Sequence, residues 1–100
     1  MSSVHLEIMP WLNRYFHAER YGRVVMEKEV RDGATVRDLL EQITSQNQEF
    51  KRVLFDAKTG RLAGYIAVIL NGRFLELAGG LETKLKDGDT IRVMPGFSGG

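Results

Sequence analysis

The sequence predicts an α+β domain in which one helix lies across a mixed sheet of about five strands. Three observations carry this. Apolar and polar side chains alternate with period two near both ends of the chain, one segment between them has an apolar stripe at helical spacing, and a later Asn-Gly pair marks a tight hairpin. The element order is strand, strand, helix, strand, strand, strand, with the first and last strands expected as parallel neighbours in the middle of the sheet.

The first strand runs Val4-His5-Leu6-Glu7-Ile8, one face apolar and one polar, and Pro10 ends it. Residues 11–22, with Trp11, Leu12, Tyr15, Phe16 and Tyr21 among charges and Gly22 at the close, fit neither period and read as a long, partly anchored connection. The second strand, Val24 to Val30, sets Val24, Met26 and Val30 on one face and Glu27 and Glu29 on the other. Asp32-Gly33 makes a turn. Val36, Leu39, Leu40 and Ile43 then fall at i, i+3, i+4 and i+7, and Thr35 with Asp38 approximates a capping box, Asp standing in for Glu. This helix is expected to end near Gln46.

Phe50, Val53, Leu54 and Phe55 read as a looser stretch packed over an edge of the core, followed by a turn from Asp56 to Gly60. Tyr65 to Leu70 is the most apolar strand, expected centrally with both faces covered, or with one face reserved for a partner. Asn71-Gly72 predicts a hairpin because both residues accept positive φ, and Phe74 to Leu77 is expected to pair back as a short strand. Gly79-Gly80 and Lys86-Asp87-Gly88-Asp89 mark turns. In the last strand, Thr90 to Met94, Ile91 and Val93 face inward while Thr90, Arg92 and Met94 face outward. The organisation is therefore a domain over residues 1–94 and a flexible tail over 95–100.

Composition narrows the function. One hundred residues support one core, and a net charge of +1 lacks the concentrated basic surface that nucleic acid requires. The longest apolar run, Ile66 to Leu70, is far short of the ~20 residues that span a bilayer, and no signal pattern opens the chain, so no membrane partner and a cytoplasmic location are expected. The absence of cysteine removes disulfides, thiolate metal sites and a thiol nucleophile. His5 and His17 lack metal-ligand spacing, so no metal site is expected. Gly79-Gly80 lacks the Gly-Lys-Ser/Thr element of a phosphate cradle, and no serine sits in a nucleophile elbow. The chain is thus expected to bind no cofactor and to hold no catalytic site of its own, so that it is no enzyme by itself.

The carboxyl end is the most specific segment. Leu85-Lys86-Asp87-Gly88-Asp89-Thr90-Ile91-Arg92-Val93-Met94-Pro95-Gly96-Phe97-Ser98-Gly99-Gly100 resembles the closing signature of the MoaD/ThiS family of ubiquitin-like sulfur carriers: a Leu-x-Asp-Gly-Asp turn, a final strand, a proline, and a tail ending in Gly-Gly. Val36 to Ile43 and Val68 to Arg73 also fit that family's pattern, and the element order is its β-grasp order. Two departures stand out: the connection after the first strand is longer than in the smallest members, and Gly96 takes the place of a frequent second proline.

The resemblance implies a chemistry. An E1-like adenylating enzyme, using ATP and Mg²⁺, transfers AMP to the Gly100 carboxylate; a persulfide-bearing sulfur donor then converts it to a thiocarboxylate, which serves a sulfur-acceptor synthase. Glycine at positions 99 and 100 suits entry into a narrow nucleotide site, because no side chain obstructs it. Pro95 is expected to end strand pairing and free the tail, which from Pro95 to Gly100 reaches ~20 Å. Met94, Pro95, Phe97 and Ser98 are the candidate partner-binding residues around the Gly99-Gly100 end, while Asp87-Gly88-Asp89 is read as a turn with no catalytic role. The acceptor pathway is open: molybdopterin synthesis, with this chain as the synthase small subunit, is the commonest implication, and Gly79-Gly80-Leu81-x-Thr83 is similar to carriers serving cysteine biosynthesis. The rival readings are a ubiquitin-like modifier joined to lysines through Gly100 and an interaction domain with an idle tail.

Overall fold

The computed structural model describes residues 1–9, 24–45 and 47–95. The expected connection over 11–22, with Pro10 and His17, and the residues Gly96, Phe97, Ser98, Gly99 and Gly100 lie outside the described residues.

Five strands form one sheet in the order β2-β1-β5-β3-β4. β1 (Ser2–Ile8) and β2 (Val24–Val30) pair antiparallel from Ser2 opposite Val30 to Ile8 opposite Val24. β5 (Thr90–Pro95) lies parallel to β1, with Leu6 opposite Ile91 and Ile8 opposite Val93. β3 (Ile66–Leu70) runs antiparallel along the other side of β5, and β4 (Arg73–Phe74) closes the hairpin against it. The expected parallel pairing of first and last strands is therefore present, and β5 is the central strand.

Between β2 and β3 the chain crosses one sheet face. The first helix, α1 (Val36–Thr44), buries Val36, Leu39, Leu40 and Ile43, the stripe read from the sequence, and has the full capping box. The Thr35 hydroxyl accepts the Asp38 N–H at 3.2 Å, and the Asp38 carboxylate accepts the Thr35 N–H at 3.0 Å. The helix stops at Thr44, two residues before the expected end near Gln46. Its apolar stripe meets the inward face of the sheet: Val4, Leu6 and Ile8 of β1, Ile91 and Val93 of β5, and Val68 and Leu70 of β3. Each fully buried aliphatic side chain contributes roughly 1.5–3 kcal/mol.

Three expectations are corrected. The stretch around Phe50 is a second helix, α2 (Gln48–Leu54), started by Asn47, whose Oδ1 accepts the Phe50 N–H at 3.0 Å. Phe50 and Leu54, one turn apart, are fully buried. The strand expected over Phe74–Leu77 pairs only through Phe74; the chain then turns into a single helical turn, α3 (Leu75–Ala78), which buries Leu75. Gly79 and Gly80, with φ of 119° and 82°, stop that turn, and the Gly80 N–H returns to the Leu75 carbonyl at 2.8 Å. Lastly, β3 is neither central nor covered on both faces. Ile66, Val68 and Leu70 are buried while Ala67 and Ile69 are only half-buried, which is the arrangement expected if one face is left for a partner.

Candidate functional site

The sheet face opposite the helices is built by the alternation that fills the core. Because Ile91 and Val93 point inward, Arg92 and Met94 point outward, and the strand register sets them in rows. One row crosses all five strands: Phe74, Ile69, Arg92, Glu7 and Val25 lie opposite one another in turn. At its centre Arg92 Nε donates to Glu7 Oε2 at 2.8 Å, so the two charges are neutralised within the sheet. The ends of the row are apolar and open: Val25 is 57% exposed and Phe74 56%. The next row brings Met94 opposite Ala67, and Tyr65, just before β3, is 48% exposed. Phe74, Ile69, Ala67 and Met94 thus form an apolar patch on one side of the ion pair, of the kind that proteins reserve for a partner, on a face that is otherwise polar at His5, Glu27 and Thr90.

Met94 thus takes the outward position expected of it. Pro95, opposite Ile66, is the last residue of β5. Pro95 is fixed at the end of the central strand, and residues 96–100 continue from that point.

The Asp-Gly-Asp turn anchors β5 at its other end. Asp87 Oδ1 accepts the Ser3 N–H at 2.7 Å, the Gly88 N–H donates to the Ser3 carbonyl at 2.8 Å, and the His5 N–H donates to the Asp89 carbonyl at 2.8 Å. Asp89 also accepts from the Lys86 N–H at 2.7 Å and from Asn71 Nδ2 at 2.9 Å, while Asn71 Oδ1 accepts the Thr90 N–H at 2.9 Å. Two motifs far apart in sequence, Asn71-Gly72 and Asp87-Gly88-Asp89, therefore share one hydrogen-bond network that fixes β1, β3 and β5 together. Both carboxylates are engaged by backbone and amide donors, in keeping with the structural role read for them.

A second feature had no signal in the sequence. A groove of about 980 Å³ opens along the edge of β3, between the segment Arg61–Gly64 on one side and α3 with Gly79–Glu82 on the other, and it reaches Met94 and Pro95. It forms because β4 is two residues long, so the α3 turn leaves the sheet early. Arg37 lines it, held by Glu82 and by the Gly60 carbonyl, to which its Nη1 donates at 3.0 Å. Residues brought together only by folding have no spacing that would announce them; Val25 and Phe74, by contrast, were legible as apolar residues on an otherwise polar face.

Among the described residues, the one carboxyl group held clearly below its ordinary value is Asp38, chiefly through the Thr35 backbone N–H it accepts. It caps α1. Among the described residues no cluster of three or more His, Asp or Glu side chains could hold a metal, and His5 lies 3.5 Å from Glu27 on the exposed face.

Residues 14–100 match the model of the ThiS family. The chain belongs to the ThiS family. A candidate sulfur carrier protein of Archaeoglobus fulgidus is 37% identical over 62 residues, which span 62% of this chain and 66% of that relative, just under two thirds of its length. Among solved structures, the small archaeal modifier protein 1 of Methanosarcina acetivorans superposes with a TM-score of 0.71 at 30% identity, covering 100% of this chain and 98% of that one. A chain of the Amycolatopsis orientalis BexX/CysO complex superposes with a TM-score of 0.71 at 29% identity, covering 97% and 99%. The fold of this ThiS-family chain is the ubiquitin-like β-grasp, with small carriers rather than catalysts as its relatives.

Proposed function

We propose that this ThiS-family chain carries sulfur on its last residue. With Gly100 as the carboxyl terminus, a carboxylate oxygen attacks the α-phosphorus of ATP on an E1-like partner that holds the Mg²⁺, and pyrophosphate leaves. The terminal sulfur of a persulfide donor then attacks the acyl carbon, AMP leaves, and a thiol cleaves the remaining S–S bond to give the thiocarboxylate. That group delivers sulfur to an acceptor synthase. The chain's own part is to present Gly99-Gly100 without side chains and to dock the partner.

The observation that carries this reading is the placement of Pro95. The central strand ends there, beside the open apolar face of Met94, Ala67, Ile69 and Phe74, and five residues ending in Gly-Gly follow. An activating enzyme that covers this face has the start of the terminal segment at a fixed point. Residues 96–100 extend at most ~17 Å from it, and ordering them costs about 1–2 kcal/mol per residue, which the docked face offsets.

The test is ATP–pyrophosphate exchange catalysed by the activating enzyme. The full chain is expected to support exchange and a chain lacking Gly99 and Gly100 to support none; equal exchange from both would reject the assignment. Two acceptors fit the reading, a molybdopterin-type synthase or a cysteine-forming synthase. The 30% identity to a small archaeal modifier protein favours a second reading, in which the same adenylate ends as an isopeptide bond to lysine. Larger conjugates in cell lysate that depend on Gly100 separate the modifier from the carrier.

A further inference from the structure

The network at the start of β5 contains a reactive pair that the activation scheme does not use. Asn71-Gly72 is the single Asn-Gly pair of the sequence; the other asparagines, Asn13 and Asn47, precede Arg14 and Gln48. A glycine leaves its own backbone nitrogen unscreened, so that nitrogen can reach the Cγ of the asparagine before it. Both residues are exposed, and among the described residues the Gly72 N–H has no hydrogen-bond partner. The Asn71 amide, by contrast, is held at both its atoms. Its Oδ1 accepts the Thr90 N–H at 2.9 Å and its Nδ2 donates to Asp89 Oδ1 at 2.9 Å, while the Asn71 backbone N–H donates to the Thr90 carbonyl at 2.9 Å. Attack requires Cγ to swing onto the Gly72 nitrogen, a rotation that these bonds to β5 oppose.

We infer that Asn71 is a deamidation site and that its contacts with Asp89 and Thr90 are the guard that keeps it slow in the folded chain. When the β3–β4 turn opens locally, the Gly72 nitrogen gives its proton to hydroxide and bonds to Asn71 Cγ. The Cγ–Nδ2 bond breaks, and Nδ2 leaves as ammonia with a proton from water. Water then opens the succinimide at either carbonyl, leaving an aspartyl or an isoaspartyl link with no change of oxidation state. Neither product restores the original contacts. A carboxylate oxygen stands where Nδ2 donated, so it meets the Asp89 carboxylate with no proton between them, and the isoaspartyl link lengthens the backbone of a turn that had fitted β3 to β4. The change is therefore a one-way ageing step. It loosens the junction of β1, β3 and β5 while the apolar patch and the Pro95 end of β5 stay in place, so an aged chain keeps its docking surface but unfolds more readily.

Incubation in mildly alkaline buffer, followed by mass spectrometry, tests this without any partner enzyme. Exchange of the amide for a carboxyl group adds about 1 Da, and peptide mapping locates it. The parent chain unfolded in guanidinium is expected to gain that mass at residue 71 at least about tenfold faster than the folded parent. Folded Asp89→Ala is expected to gain it at least about fivefold faster than the parent. Gly79→Ala, destabilised elsewhere with the network intact, is expected to stay within about twofold of the parent if the guard is local. Equal rates in the two variants, or no acceleration on unfolding the parent, would overturn the proposal. The consequence has its own readout. Asn71→Asp reproduces the aspartyl product and is expected to lower the urea midpoint, and adding Asp89→Asn, which exchanges donor and acceptor within the pair, is expected to recover at least about half of that loss. An unchanged midpoint in Asn71→Asp, or no recovery in the double variant, would overturn the loosening of the junction.

Discussion

Replacing Asp89 or Asn71 probes whether the Asp-Gly-Asp turn, the most distinctive internal motif of the chain, acts through structure alone. Asp89→Ala removes the acceptor for the Lys86 N–H and for Asn71 Nδ2. At about 0.5–1.5 kcal/mol for each net hydrogen bond, the loss is about 1–3 kcal/mol. Asn71→Ala removes the same bond to Asp89 and the one accepted from the Thr90 N–H, and it places alanine at φ 50°, adding about 1–2 kcal/mol of backbone strain. The two variants share one bond, so the double variant is expected to fall short of additivity by about 0.5–1.5 kcal/mol. In a domain of this size each kcal/mol lowers Tm by roughly 4–8 °C. Urea unfolding of the four proteins at one pH supplies the cycle, and ATP–pyrophosphate exchange, assayed well below the lowered Tm, is expected to stay near the parent value. A coupling energy within 0.3 kcal/mol of zero would refute the shared network. Exchange lost from a folded Asp89→Ala protein would refute the purely structural role.

Other outcomes follow from the same contacts. Val25→Ser and Phe74→Ser, at exposed ends of the cross-sheet row, are expected to leave stability within about 0.5 kcal/mol while lowering kcat/KM for activation at least tenfold together, read by pyrophosphate exchange. Gly79→Ala builds a Cβ 2.6 Å from Thr83 Oγ1 at φ 119°, and is expected to cost about 1–3 kcal/mol in urea unfolding, part of it recovered by adding Thr83→Ala. Asp38 has a folded-state value below its ordinary 3.8, so its contribution is complete above that pH and is lost as pH falls through the lower folded value. The stability gap between the parent and Asp38→Ala, followed by chemical unfolding, is therefore expected to be constant from pH 7 to about pH 5 and to narrow below pH 4; a gap that widens in acid would contradict the capping interaction.

How much of this was legible in the sequence depended on whether local pattern or tertiary setting decided each element. Val36 to Ile43 and Thr90 to Met94 carry their periodicity over several repeats, and the structure places those residues as read. The Asn71-Gly72 hairpin is set by two residues that accept positive φ, and it too is as read. α2 was missed because two helical turns show the i, i+3, i+4 pattern only once, although Asn47 three residues before Phe50 was an available cap signal. Phe74 to Leu77 reads as a strand by composition; Leu75 is instead drawn into the core, and the paired positive-φ glycines after it close a helical turn. β3 was misplaced because an apolar run does not reveal which strand will be central, a choice made here by the parallel pairing of β1 with β5. The outward position of Met94 was legible from the period-two alternation, whereas the cross-sheet row and the groove beside β3 exist only once register and the shortness of β4 are known.

The central claim, that Gly100 becomes a thiocarboxylate, is tested most directly by the intact mass of the chain after incubation with its activating enzyme, ATP and a persulfide donor. Exchange of one carboxyl oxygen for sulfur is expected to add about 16 Da, located by fragmentation to the terminal glycine. An unchanged mass with an enzyme that demonstrably adenylates the chain, or an increase located anywhere other than Gly100, would contradict it.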